Sequence, residues 1–144
     1  MKYSKSKGFS LIEVIVVLVI ITLLASIIAP NILGRADDAR VGKARADFAA
    51  IEAALSMYRL DNYNYPSSEQ GLRALVEKPT MQPVPANWRA DGYLSEQPID
   101  PWGRPYLYLH PGRDGRPFDL FTYGADGVQG GEGPDADIGN WMTE

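Results

Sequence analysis

Between Phe9 and Ala29 the chain is almost wholly apolar, and Glu13 is its only charged residue there. A run of this length matches the ~20 residues a helix needs to cross the hydrocarbon core of a bilayer, so 9–29 is expected to be a membrane-spanning helix. Past Pro30 the pattern changes without a linker. Ala44, Phe48, Ile51, Leu55 and Tyr58 recur at spacings of three and four, while Arg40, Lys43, Arg45, Asp47, Glu52 and Arg59 take the other faces. That period predicts an amphipathic helix over 30–62 that continues the first one and lays its apolar stripe on a core. Pro30, Gly34 and Gly42 should bend or loosen it, Pro30 most, because proline removes an intrahelical hydrogen bond.

Residues 63–144 read as a globular head. In YNYPSSEQGLRALVEKP, Ser67 and Gln70 have the spacing of a capping box, which predicts a turn and a short second helix with Leu72, Leu75 and Val76 inward and Pro79 at its end. YLYL and FDLFTY are strand-like, and the glycine-bearing GRDGR between them predicts a hairpin. The fold class is therefore α+β: a long N-terminal helix packed on a head with a short helix and an antiparallel sheet of about three strands.

Composition narrows the chemistry. The 144 residues carry a net charge of −4 without a basic stripe, so no nucleic-acid partner is expected. There is no cysteine, hence no disulfide and no thiolate nucleophile. No GxSxG, HExxH or P-loop pattern occurs, and the single histidine, His110, has no partner at metal-ligand spacing and reads as structural. Trp88, Trp102 and Trp141 read as packing or subunit contacts. The chain is not expected to be an enzyme.

Lys2, Lys5 and Lys7 precede the apolar run, which predicts a cytoplasmic N-terminus and a head across the membrane. A carboxylate inside that run costs roughly 2.5–3.5 kcal/mol near the bilayer centre, so Glu13 calls for a partner. A cleaved secretory signal is the poorer reading, because Glu13 would interrupt its apolar core.

At the other end, YGADGVQGGEGPDADI, residues 123–138, is glycine-rich and carries Asp126, Glu132, Asp135 and Asp137. It is either a mobile acidic loop or an oxygen-donor site for calcium. The spacing is not that of an EF-hand, and spacing alone leaves both open.

The basic leader, Gly8, then Phe9-Ser-Leu-Ile-Glu13 and an apolar helix resemble the type IV pilin class of signal. YPSSEQGLRAL, DPWGRPYLY and FDLFTYGADGVQGGEGPDADIGNW extend the resemblance, over nearly the whole chain, to the major pseudopilins of the bacterial type II secretion system. The resemblance implies a leader, 1–8, removed between Gly8 and Phe9 by a prepilin peptidase that also methylates the Phe9 amine. The new ammonium of one subunit would then meet Glu13 of another. It further implies a helical homopolymer anchored in the inner membrane of a Gram-negative bacterium, with a periplasmic head. Minor pseudopilins and an inner-membrane assembly platform with its ATPase would be partners in driving folded exoproteins through the outer membrane. For the loop it implies Ca2+, with Asp126, Asp135 and Asp137 as side-chain ligands, Tyr123 and Val128 adding carbonyls, and Glu132 the weakest candidate. A type IV pilus or DNA-uptake pilin is the alternative, although pilins usually carry cysteines; a membrane-anchored calcium-binding module or enzyme would not explain GFSLIE.

Overall fold

A computed structural model describes residues 8–142, the side chains of 27–33 excepted. One α-helix, α1, runs Leu11–Asn62. Its backbone stays helical through Pro30; the side chains around this proline, where loosening was expected, lie outside the described set. Among the described residues no helix is long and apolar enough to cross a membrane. The described side chains of the apolar run end at Ser26, so the remainder of the expected 9–29 span falls outside them. The chain divides into two units, Met1–Asp37 and Asp38–Glu144.

In the second unit the apolar stripe of α1 is the floor of the core. Ala44, Phe48, Ile51, Leu55 and Tyr58 are all at most 2% exposed, which is what a three-four spacing delivers when one helix face meets a sheet. Three short strands complete it: β1, Leu107–Leu109; β2, Asp119–Thr122; and β3, Ile138–Gly139. They form an antiparallel sheet in the order β1-β2-β3, with Tyr108 opposite Leu120 and Thr122 opposite Ile138. Leu120, fully buried, faces the helix stripe within the same core cluster. The hairpin connection between β1 and β2 turns at Arg113–Gly115, where Asp114 and Gly115 take left-handed conformations at φ 54° and 79°.

The predicted capping box forms in both directions: Ser67 N–H donates to Gln70 Oε1 at 3.0 Å, and Gln70 N–H donates to Ser67 Oγ at 3.2 Å. The box leads into one 3-10 turn, Leu72–Leu75, instead of an α-helix. Gly71, at φ 58°, breaks the helical path directly after the box. Leu72 and Leu75 are buried as expected and Val76 is half-buried.

The three tryptophans all make contacts within the head. Trp88 Nε1–H donates to the Ala74 carbonyl at 2.9 Å, Trp102 packs against the core, and Trp141 lies 5.8 Å from Phe121 between ring centroids. His110 is half-buried with Nδ1 2.7 Å from the Pro117 carbonyl and its ring against the edge of Tyr65.

Candidate functional site

Two regions carry the chemistry singled out in the sequence, and the fold treats them differently. At the start of α1, Ser10 Oγ accepts the Glu13 N–H at 3.3 Å and Glu13 Oε2 accepts the Ser10 N–H at 3.3 Å. This reciprocal pair is a capping box, and its carboxylate also complements the positive end of the helix dipole. Glu13 therefore has a task within its own chain, as cap, that the sequence reading assigned only across subunits; the S-x-x-E spacing was the signal for it. Phe9 is 84% exposed and a Cβ on Gly8 would meet nothing within 4 Å, so the Gly8–Phe9 bond is open on the surface. The large apolar side chains from Leu11 to Leu24 are 46–78% exposed. Lys2, Lys5 and Lys7 lie outside the described residues.

The acidic segment forms the connection between β2 and β3. It is tied across its neck, where Ala125 N–H donates to the Pro134 carbonyl at 2.9 Å. Within it, Asp126 Oδ1 accepts the Val128 N–H at 2.9 Å and Asp137 Oδ1 accepts the Gly130 N–H at 3.0 Å. Gly131 sits at φ +87°, and a side chain there would run into the Asp135 carbonyl. Asp126, Glu132 and Asp135 are exposed, as is Val128; Tyr123 and Asp137 are half-buried. The donors are carboxylates and carbonyls, the hard oxygens that calcium takes, so the set fits the ion in kind. Among the described residues no group of three or more acidic or imidazole side chains is gathered where it could hold an ion.

The residues that build this region lie partly outside the acidic stretch. Arg104 Nη2 donates to the carbonyls of Gly124 and Ala125, the latter at 2.8 Å. Asn140, just past β3, accepts the Leu120 N–H through Oδ1 at 3.1 Å and donates through Nδ2 to Glu52 Oε1 at 3.1 Å, fastening the end of the segment to both sheet and helix. Neither residue stood out in the sequence as chemistry, although an aspartate opening D-P-W-G is a recognisable turn signal for the stretch that delivers Arg104.

At the hairpin end of β2, Asp119 is fully buried between two arginines, 2.8 Å from Arg116 Nε and 3.4 Å from Arg113 Nε. Burial pushes its carboxyl upward, but the hydrogen bonds from Arg116 and the Arg113 N–H, with the two guanidinium charges, outweigh it and hold the group below the ordinary carboxylate value. This is a structural ion pair, closing the β1–β2 turn.

Comparison with known proteins bears on the whole chain. Residues 31–141 match the family model described as type II secretion system protein G, and residues 3–29 match the prokaryotic N-terminal methylation motif. The chain is 55% identical to the type II secretion system core protein G of Pseudomonas aeruginosa over 98% of its length and 99% of that protein. It is 54% identical to the protein of the same name from Vibrio cholerae, over 99% of this chain and 97% of that one. A crystal structure of the major pseudopilin from the type 2 secretion system of enterohaemorrhagic Escherichia coli superposes with a TM-score of 0.69 at 51% identity, covering 78% of this chain and 96% of that one. With a helix stripe packed on a three-stranded sheet and a methylation motif ahead of it, the chain belongs to the type II secretion system protein G family, the major pseudopilins.

Proposed function

We propose that this chain is the repeating subunit of a periplasmic pseudopilus. It is cut between Gly8 and Phe9, methylated at the Phe9 amine, held in the inner membrane by 9–29 with its head in the periplasm, and polymerised into a helical filament that helps drive folded proteins through the outer membrane. The observation that carries this reading is the apolar face of α1: the large side chains from Leu11 to Leu24 are uncovered. An apolar surface of that extent needs lipid before assembly and neighbouring copies after it. Glu13, the one carboxylate in the run, suits the transition between the two environments. An ammonium at Phe9 of an adjacent subunit would neutralise it where water is scarce, and a mismatched subunit would leave two charges buried and unpaired. Minor pseudopilins and an assembly platform with an ATPase would supply initiation and work; the chain itself carries no motor chemistry in this reading and acts as a structural subunit.

Calcium belongs to the same proposal. Asp126, Asp135 and Asp137, with the carbonyls of Tyr123 and Val128, would hold the ion, and its charge would offset the repulsion between neighbouring carboxylates in a head that has no disulfide.

The test is genetic and biochemical together. Removing the gene should trap folded exoproteins in the periplasm, and the wild-type copy should release them. A Gly8→Val copy should not, leaving instead an uncut precursor on a blot. Mature-sized Gly8→Val protein with normal secretion would refute the assignment.

A further inference from the structure

Arg104 is fixed from both sides before it reaches the acidic loop. Asp100 is 4% exposed; its Oδ2 accepts the Thr122 hydroxyl at 2.5 Å, anchoring it on β2. Its Oδ1 accepts the backbone N–H of Trp102 at 3.0 Å and of Arg104 at 2.8 Å, and its own N–H donates to the Arg104 carbonyl at 2.7 Å. The five-residue turn Asp100–Arg104 is thus closed on a buried carboxylate, and the arginine leaves it in a set direction. Its guanidinium then bonds two successive carbonyls, Gly124 and Ala125, at the point where the chain leaves β2 for the loop. Gly127 passes so close, at φ +72°, that a Cβ there would stand 2.7 Å from Cζ.

We infer that Arg104 is the positioning residue of the loop: a resident cation that orders its entry strand, so that the carboxylates beyond it are presented in one arrangement before any metal arrives. The inference rests on the calcium reading above for its second readout only. Two carbonyls bonded by one nitrogen, Nη2, of a guanidinium already fixed in direction lose their freedom when the head folds. The cost of ordering them is then not charged again on binding, and calcium affinity depends on the rigidity and charge of its loop. Charge acts in the opposite sense, since a guanidinium near a dication repels it. Arg104→Lys separates the two effects: it keeps the charge but replaces the planar guanidinium, whose N–H directions are fixed, with a shorter stem and a freely rotating ammonium.

The experiment uses the full chain in detergent micelles, wild type, Arg104→Lys and Arg104→Gln. Amide hydrogen exchange is followed first in chelator and then through a calcium chloride titration. In chelator, amides within 124–137 should exchange about tenfold faster in both variants while those of β2, Asp119–Thr122, keep wild-type rates. In the titration, the Lys variant should need about tenfold more calcium for half-protection of the loop. Unchanged loop exchange in both variants, an unshifted midpoint for Arg104→Lys, or acceleration spread equally into β2 would each overturn the positioning role. A wild type that shows no response to calcium would overturn the calcium reading instead, and the chelator measurement would then decide the role of Arg104 by itself.

Discussion

The Tyr106 hydroxyl donates to Asp47 Oδ2 at 2.7 Å, joining the run that enters β1 to helix α1 across 59 residues of sequence. Tyr106 is buried with its ring at the edge of Phe48, 5.3 Å between centroids. Burial, then the bond to Asp47 and its charge, and the charge of Asp100 push the phenol's pKa far above its usual range, so the hydroxyl stays protonated and able to donate at neutral and alkaline pH. Asp47 also receives Lys43 Nζ at 2.5 Å, which leaves it a partner when Tyr106 is altered. Tyr106→Phe should therefore cost about 1–2 kcal/mol, seen as a lower Tm without change of secondary structure by circular dichroism. An unaltered Tm would mean that the bond does not fasten sheet to helix.

Asp119 governs the response to acid. Its carboxyl is held below the ordinary value by Arg116 and Arg113, against the effect of burial. The stability it contributes is complete above the unfolded carboxylate range, near about pH 4, and is lost as pH falls through the lower folded value. Asp119→Asn should cost about 1.5–3 kcal/mol at neutral pH, because the hydrogen bonds that the buried carboxylate accepts from Arg116 and the Arg113 N–H lose their charged acceptor. A melting series from neutral to acid pH should fall less steeply for the variant at its acid end. Parallel curves would remove Asp119 from the account of acid sensitivity.

The loop predicts a metal dependence. The Tm of the full chain in detergent should rise with free calcium and fall with chelator, following RT ln(1 + [L]/Kd) for an ion that binds only the folded state. Asp126→Ala should abolish the rise and expose the loop to protease, and magnesium should replace calcium poorly because it holds its waters and demands octahedral geometry. Identical melting curves with calcium and chelator would leave 123–138 an ordinary acidic loop.

How far the sequence was legible depended on the range of each interaction. The Ala44–Tyr58 stripe is a local period, and all five named positions are buried. The Ser67–Gln70 box is local too, and forms as read. Its helix shrank to a 3-10 turn because Gln70 is drawn elsewhere: Nε2 donates to the carbonyls of Met81 and Pro83, at 2.9 Å each, and Gly71 turns the chain away. β3 is two residues long and has no period to detect. Asp100 and Arg104 acquire their roles only when β2 returns beside their turn, a contact 20 or more residues away that no spacing records. The acidic loop was visible as composition, whereas the arginine that holds its neck was not. At the N-terminus, S-x-x-E offered a cap and a carboxylate awaiting a second subunit at once, and only the second was read.

The subunit–subunit role of Glu13 is the central claim, and filament yield from Glu13→Val measures it most directly. The substitution makes the apolar run easier to insert while removing the partner of the Phe9 ammonium. Cells carrying it should hold normal amounts of cleaved subunit in the membrane fraction and yield no filaments by electron microscopy of sheared material. Ser10→Ala, which weakens the cap but keeps the carboxylate, should still yield filaments, separating pairing between subunits from capping within one. Filaments from Glu13→Val at wild-type yield would contradict the account.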